Sequence, residues 1–174
     1  MSAKVPVLTL NNGIKMPAIG LGVYQSTSDE TAKAVEVAIA KGYRLIDTAA
    51  AYMNEQQVGE GLRQSGVKRE EIFVTTKLWM SDYGYNQTLH AFDRSLRKLG
   101  LDYLDLYLLH WPVPTDFEKT IASWKAAEKL LAEGRARAIG VCNFNPRNLD
   151  TLIQRSARVP AVTLENAAVQ IRNL

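Results

Sequence analysis

The sequence predicts a parallel α/β fold, and it favours a barrel over a doubly wound sheet. Short apolar strands alternate with amphipathic helices at a spacing of roughly 30 residues, which is typical of parallel strands joined by right-handed helical crossovers. A nucleotide-binding doubly wound sheet would begin with a strand that leads into G-x-G-x-x-G, but the first candidate, Gly20–Gln25, lacks the third glycine. An initial hairpin that could close the amino end of a barrel points the same way.

The elements that justify this fold follow one another directly along the chain. The hairpin comprises residues 7–10 and 14–16, because the Asn12-Gly13 pair between them supplies the positive backbone angles of a tight turn. Helices are predicted where apolar residues recur every three to four positions before a glycine such as Gly42. Strands are predicted at 18–22, 43–46, 71–76, 103–109, 136–141 and 159–164, and helices at 31–41, 54–64, 86–99, 117–132 and 146–155.

Composition indicates a globular protein that forms one domain over residues 1–174. The 47% hydrophobic and 22% charged fractions suit a sizeable core, and no apolar run is long enough to span a membrane. The single cysteine, Cys142, has no partner for an internal disulfide, so a cytoplasmic location is expected. The net charge of +3 is scattered rather than gathered among aromatic residues, so nucleic-acid binding is not expected.

Four polar residues follow three consecutive strands at the points where those strands end. Asp47 and Tyr52 come after the strand at 43–46, Lys77 after the next strand, and His110 after the one beyond. The carboxyl ends of parallel strands share one edge of the fold, and active sites are built there. We therefore expect these four side chains to meet.

The four residue types together suit proton transfer to a carbonyl oxygen. A phenol is a weak acid at neutral pH, and a nearby ammonium such as Lys77 is expected to lower the pKa of Tyr52, with Asp47 holding the lysine charged. A neutral His110 can hydrogen-bond the same oxygen. No side chain supplies hydride, so reduction of a carbonyl requires a nicotinamide cofactor.

Each of these residues also has a structural interpretation when it is considered alone. Asp47 could cap the following helix or lie in solvent, and Lys77 could be a surface lysine. Tyr52 could be half-buried with its hydroxyl in water, and His110 could be a hydrogen-bonded core histidine. Their occurrence at successive strand ends is what favours the functional interpretation.

Other candidate residues give weaker signals. Trp79 and Trp111 follow two of the strands, where core packing and pocket lining are both open. A metal site is not expected, because His90 and the second histidine have no ligand spacing with Cys142. The turn at 142–145 could offer an amide to a ligand or could be an Asn-rich turn beside a buried thiol.

Four motifs in order resemble the aldo-keto reductases, most closely the bacterial 2,5-diketo-D-gluconate-reductase-like members. The motifs are Gly42–Tyr52, Phe73–Trp79, Leu106–Pro112 and Ile139–Phe144, within a resemblance that covers residues 5–162. The resemblance implies a (β/α)8 TIM barrel and NADPH-dependent reduction of aldehydes or ketones, with a small carbonyl compound as substrate.

The resemblance also implies a role for each matching residue. Tyr52 corresponds to the proton donor, Lys77 and Asp47 to the pair that tunes it, and His110 to the group that orients the carbonyl. Positions at the cofactor are Val23, Tyr24, Asp47, Cys142 and Asn143, and positions at the substrate are Tyr24, Trp79, His110 and Trp111.

Two departures from the family pattern lead to further expectations. Cys142 stands where the family usually has serine, which weakens one hydrogen bond to the cofactor carboxamide. The segment 163–174 does not continue as the family does, so we expect a truncated barrel of about six strands whose open edges favour oligomers. The alternative to a reductase is a catalytically inactive barrel fragment, or an assembly protein, that has lost cofactor binding.

Overall fold

The centre of the molecule is a parallel sheet of six strands, seen in a computed structural model that describes residues 6–164. In chain order the elements are β1 (Val7–Thr9), β2 (Lys15–Pro17), β3 (Leu21–Gly22), α1 (Ser28–Ala40), β4 (Leu45–Asp47), α2 (Glu55–Gln64), β5 (Phe73–Leu78), α3 (Tyr85–Leu99), β6 (Leu104–Leu109), α4 (Phe117–Ala132), β7 (Ala136–Cys142), α5 (Pro146–Gln154) and β8 (Val162–Leu164). Short 3₁₀ turns lie at Ala50–Tyr52, Arg69–Glu71, Met80–Asp82 and Pro114–Asp116.

The order of the strands in the sheet distinguishes a barrel from a doubly wound sheet, the two architectures considered from the sequence. The strands from β3 to β8 lie side by side in sequence order, and each pairs in parallel with the next. A doubly wound sheet reverses its strand order at a switch point, whereas a barrel adds each strand on the same side. The barrel prediction is confirmed over six strands. What was predicted for the chain after residue 164 lies outside the described residues.

The two faces of the sheet bury different sets of apolar side chains. One face packs against the helices, and the other forms a smaller interior cluster made of Leu45, Phe73, Leu106, Leu108 and Ala138. The β1–β2 hairpin adds Leu10, Ile14 and Met16 to the interior cluster.

Two asparagine side chains attach the hairpin to the amino ends of the last strands. Asn11 Nδ2 donates to the Pro160 carbonyl at 3.1 Å, and Asn12 Nδ2 donates to the Arg137 carbonyl at 3.0 Å. Arg137 is the second residue of β7, and Pro160 precedes β8. The prediction that the hairpin covers the amino end of the sheet is therefore confirmed.

Two glycines of α2 bring that helix close to its neighbours. A Cβ atom on Gly59 would lie 2.3 Å from the Leu99 carbonyl oxygen of α3, and one on Gly61 would lie 2.5 Å from the Ala32 carbonyl oxygen of α1. Any larger residue would push the helices apart. These contacts fix the start of α2, and with it the loop that carries Tyr52.

The strand ends differ from the prediction in a way that matters for the site. Asp47 is the last residue of β4 rather than the first residue after it, and Lys77 lies inside β5 rather than beyond it. The predicted strand at 71–76 begins too early because Arg69–Glu71 forms a 3₁₀ turn. Because both residues belong to strands, the pleat of the sheet fixes the direction of their side chains.

Candidate active site

The interior face of the sheet carries four of the predicted site residues at the carboxyl ends of the strands. Side chains alternate between faces along a strand, so an even separation from an interior residue places a side chain on the interior face. The interior residue and site residue on each strand are Leu45 and Asp47, Phe73 and Lys77, Leu108 and His110, and Ala138 and Cys142. His110 continues the ladder just past β6, since its N–H donates to the Leu78 carbonyl at 3.1 Å.

A cavity of about 500 Å³ lies over this end of the interior face. Its polar and aromatic lining is formed by Tyr24, Asp47, Tyr52, Thr75, Lys77, His110 and Cys142. Apolar side chains of the interior cluster, among them Leu45, Leu106 and Leu108, form its floor. The structure thus brings the four predicted catalytic side chains to one space.

Lys77 and Asp47 form an ion pair at the base of the cavity. Lys77 Nζ lies 2.6 Å from Asp47 Oδ2 and donates to the Thr48 carbonyl at 3.0 Å, and the lysine is only 2% exposed. Burial raises the pKa of the Asp47 carboxyl, and the Lys77 ammonium acts in the opposite direction. A buried ammonium held by two acceptors is a fixed positive charge beside whatever occupies the cavity.

Tyr52 ends the 3₁₀ turn Ala50–Tyr52 and lies above that charge. Lys77 Nζ is 5.1 Å from the centre of the Tyr52 ring, and the ring centres of Tyr24 and His110 are 5.0 Å and 5.7 Å away. The expectation that Lys77 lowers the pKa of Tyr52 is wrong here. Burial, and then the charge of Asp47, raise the pKa of the phenol above its usual range. Tyr52 is therefore a neutral phenol that holds its proton.

His110 is a buried, neutral imidazole on the other side of Tyr52. It is 6% exposed, and burial together with the Lys77 charge lowers the pKa of His110 to about 4. Its ring packs edge-on against Trp79, with centres 5.3 Å apart. Nδ1 is buried and has no hydrogen-bond partner among the described residues. A buried polar atom without a partner is costly, so this nitrogen does not stabilise the folded protein.

The turn after β7 places Asn143 behind His110. Asn143 adopts a left-handed backbone with φ of +61°, and its Nδ2 donates to the His110 carbonyl at 2.9 Å and to Cys142 Sγ at 3.1 Å. Burial raises the pKa of the Cys142 thiol to about 11, so the sulfur is not a thiolate at neutral pH. This turn supports the histidine rather than providing a nucleophile.

Four of the predicted residues lie beside the cavity without lining it. Val23 is 1% exposed and Asn143 lies behind His110, whereas Trp111 is 38% exposed and its carbonyl accepts a hydrogen bond from Tyr83. Trp79 lines a neighbouring cavity of about 450 Å³ together with Met53.

Three buried polar residues next to the site were not predicted from the sequence. Thr48, Asn54 and Glu55 are each at most 2% exposed and hydrogen-bond across different loops and strands. In the sequence Asn54 is an ordinary residue before a helix, and no local pattern shows that its partners lie far away along the chain.

Comparison with known proteins adds a match of the Aldo/keto reductase family to residues 18–171. Morphine 6-dehydrogenase of Pseudomonas putida is 64% identical over 162 residues, which cover 93% of this chain and 54% of that protein. The chain thus spans about half the length of this relative.

Solved structures give the same picture of the fold. The crystal structure of an aldo/keto reductase from Brucella melitensis superposes with a TM-score of 0.90 at 48% identity, over 94% of this chain and 63% of the other. An aldo-keto reductase of Bombyx mori, in complex with NADP, superposes with a TM-score of 0.87 at 38% identity, over 94% of this chain and 59% of the other.

Proposed function

Because the chain belongs to the aldo/keto reductase family, we propose that it reduces aldehydes or ketones to alcohols with NADPH. One observation carries the proposal: the Lys77–Asp47 ion pair, Tyr52 and His110 surround a single cavity of about 500 Å³. A cavity of that volume accepts a small carbonyl compound. The proposed catalytic residues are Tyr52, Lys77, Asp47 and His110.

Tyr52 is the proposed proton donor. A phenol is neutral at pH 7, and burial and the Asp47 charge raise the pKa of Tyr52 further, so the proton is present when a carbonyl oxygen arrives. As the proton moves from the Tyr52 hydroxyl to that oxygen, negative charge develops on the phenol. The Lys77 ammonium, 5.1 Å from the centre of the ring, stabilises this charge in a buried environment.

His110 is the proposed group that orients the carbonyl. A neutral imidazole has one N–H donor and one acceptor, and the low pKa of His110, about 4, keeps it neutral at pH 7. A hydrogen bond from His110 to the carbonyl oxygen places that oxygen next to the phenol. Neutral histidine does not compete with Tyr52 as an acid.

The described residues fit one end of NADPH. When it is bound, NADPH supplies the hydride that the carbonyl carbon accepts. Tyr24 and Cys142, which line the cavity, and Val23 and Asn143, which lie beside it, would hold the nicotinamide end. The lining contains no arginine, and its one lysine, Lys77, is already paired with Asp47. The dinucleotide phosphates are thus not held by these residues.

Binding and turnover of NADPH test the proposal directly. We expect the fluorescence of NADPH to change on titration with the protein, and a simple aldehyde to be consumed at the rate at which NADPH is oxidised. Failure to bind NADPH at millimolar concentration would support the alternative, a protein of this family without catalysis.

Tyr52→Phe tests the chemistry separately from binding. Without the hydroxyl, turnover should fall by about 10²- to 10⁴-fold while NADPH binding changes little. Tyr43→Phe, at a partly exposed tyrosine away from the cavity, is the matched control. A Tyr52→Phe variant with the turnover of the control would remove Tyr52 from the mechanism.

A cytoplasmic location completes the proposal. Cys142 is a free, buried thiol, which suits a reducing compartment. No helix within residues 6–164 has the length and apolarity needed to cross a membrane, and in that range no three His, Cys, Asp or Glu side chains are placed to share a metal ion. Oligomer formation through the sheet edges stays a prediction of the sequence.

A further inference from the structure

Two asparagines stand immediately before helices, and they use their side chains differently. Asn145 precedes α5 and accepts a hydrogen bond from the Asn148 N–H at 2.8 Å, which is the usual way in which an asparagine caps a helix. Asn54 precedes α2, and its side chain makes no capping hydrogen bond. The side chain of Asn54 is 2% exposed, and its hydrogen-bond partners lie inside the protein.

Those partners belong to two loops at the rim of the cavity. Asn54 Nδ2 donates to the Val23 carbonyl at 2.9 Å, and Asn54 Oδ1 accepts from the Thr48 hydroxyl at 2.9 Å. Val23 belongs to the loop after β3, which also carries Tyr24. Thr48 begins the loop after β4, which also carries Tyr52. Asn54 therefore bridges the two loops.

Both partners are connected to the ion pair at the base of the cavity. The Val23 N–H donates to the Asp47 carbonyl at 3.1 Å. The Thr48 carbonyl accepts from Lys77 Nζ at 3.0 Å, and the Thr48 N–H donates to the Thr75 carbonyl of β5 at 2.9 Å. A shift of either loop would thus change the position of Lys77, Asp47 or Tyr52.

The bridge is built on a fixed support. Glu55, the next residue, is 1% exposed, and its carboxylate accepts from the Thr76 hydroxyl of β5 at 2.8 Å. Lys98 of α3 lies 3.8 Å from the other oxygen of Glu55. The beginning of α2 is therefore attached to the sheet and to α3, so that Asn54 cannot follow the loops if they move.

From these contacts we propose that Asn54 is a positioning residue for the reductase site. It holds the loop of Val23 and Tyr24 at a fixed distance from the loop of Tyr52, and thereby sets the geometry of the phenol over Lys77. The catalytic part of this inference rests on the proposed function. The structural part, that one amide side chain holds both loops, does not.

Asn54→Asp is the sharpest variant, because it keeps the size of the side chain and the acceptor for Thr48. It replaces the Nδ2 donor by an oxygen that faces the Val23 carbonyl, so the bridge breaks on one side. The new carboxylate is buried and faces a carbonyl, so the free energy of unfolding should also fall, and exchange and turnover are compared only for variants that circular dichroism shows to be folded. Thr48→Val, which removes the hydroxyl but keeps the branched shape, breaks the other side. Asn145→Ala, which removes a true cap, is the matched control.

Amide hydrogen exchange tests the bridge without any activity. We expect Asn54→Asp to speed exchange about tenfold or more in peptides that cover residues 21–27 and 47–53. Asn145→Ala should speed exchange only near the start of α5. Unchanged exchange of both loops in Asn54→Asp and in Thr48→Val would overturn the inference.

Turnover tests the positioning role. A displaced phenol should lower kcat by about 10- to 100-fold in Asn54→Asp, with a smaller change in KM for the aldehyde, because the bridge positions the proton donor but does not hold His110, which orients the carbonyl. Asn54→Asp and Thr48→Val break one bridge, so the double variant should lose little more than the worse single variant. Losses of kcat that add up in the double variant would contradict the positioning role of Asn54. A kcat of Asn54→Asp equal to that of Asn145→Ala would contradict it as well. A wild-type protein without turnover refutes the proposed function, and the exchange experiment still decides on the bridge.

Discussion

Two carboxylates paired with cations at opposite ends of the strands show what separates a structural ion cluster from a reactive one. Asp105, near the amino end of β6, is 1% exposed. Its oxygens accept from Arg69 at 2.7 Å, from the Val74 N–H at 2.9 Å and from Arg137 at 2.6 Å. Both oxygens of this carboxylate are thus occupied by donors, and the residue belongs to the helix-facing side of β6.

Asp47, at the carboxyl end of β4, is held much less completely. Its side chain is 26% exposed, its one cationic partner within residues 6–164 is Lys77, and it lines the cavity on the interior face. The same pairing of carboxylate and cation therefore has two outcomes. A carboxylate whose oxygens are both occupied by donors stabilises the fold. A carboxylate that has one cationic partner and lines an open cavity can act on a ligand.

The largest effect on kcat is expected from removing Lys77, the cation of the ion pair with Asp47. Lys77→Met takes away the charge that stabilises the developing phenolate of Tyr52, so kcat should fall by about 10²- to 10⁴-fold. Steady-state kinetics with NADPH and an aldehyde measure this loss of kcat. Arg137→Met removes a cation from Asp105 and should lower stability while the folded protein keeps its kcat. Equal losses of kcat in both variants would erase the distinction between the two clusters.

The next effect concerns the saturated carboxylate. Asp105→Asn takes the anion away from Arg69 and Arg137, which are both partly exposed, and the free energy of unfolding should fall by about 1.5–3 kcal/mol. Urea denaturation followed by circular dichroism measures this. Asp93→Asn, which breaks the partly exposed pair with Arg135, should cost less than about 1 kcal/mol. Similar losses in the two variants would show that burial of Asp105 does not set its contribution.

A smaller, pH-dependent effect is expected from His110. Its pKa in the folded protein is about 4 against an ordinary value of 6.5, so between these values the unfolded chain binds the proton and the folded protein does not. The free energy of unfolding should therefore fall as the pH falls from 6.5 to 4, by at most about 1.4 kcal/mol per pH unit.

Variants of the two histidines isolate that dependence on pH. Urea denaturation at several pH values should give a shallower slope for His110→Asn than for the wild type. His90→Asn, at an exposed position of α3, should keep the wild-type slope. A wild-type slope in His110→Asn would mean that His110 titrates in the folded protein as it does in the unfolded chain.

The smallest effect shows that a place near the cavity does not by itself make a residue catalytic. Asn145 follows β7 on the cavity side but caps α5, so Asn145→Ala should lower the free energy of unfolding by about 1 kcal/mol. Thermal unfolding of the variant and the wild type measures the change. The kcat of the folded variant should stay at the wild-type value, and a tenfold loss would extend the site to this turn.

Much of the site could be predicted because alternation along a strand is local. Asp47, Lys77 and His110 follow apolar strands in the sequence, and strand order in a barrel follows chain order. The strand ends were predicted less accurately, because a short apolar run does not show where a 3₁₀ turn such as Arg69–Glu71 gives way to a strand. The predicted strand at 71–76 also stops before Lys77, which lies inside β5.

Other features depend on distances between residues that are far apart in the chain. The pKa of Tyr52 is raised by burial first and then by the Asp47 carboxylate, and the sequence gives neither the burial nor that distance. The bridge made by Asn54 joins Val23, which is 31 residues away in sequence, to Thr48. Its sequence context is that of a helix cap, and the cap is not made.

The sequence by itself determined the order of the strands, the strand ends at which the site residues lie and the family, because these follow from local periodicity and from motifs. Only the tertiary structure decided which carboxylate is saturated and which faces a cavity, why the phenol keeps its proton, and which amide holds the two loops together. The physical reason is that pKa values and buried hydrogen bonds depend on desolvation and on the positions of distant partners. Those quantities exist only once the chain has folded.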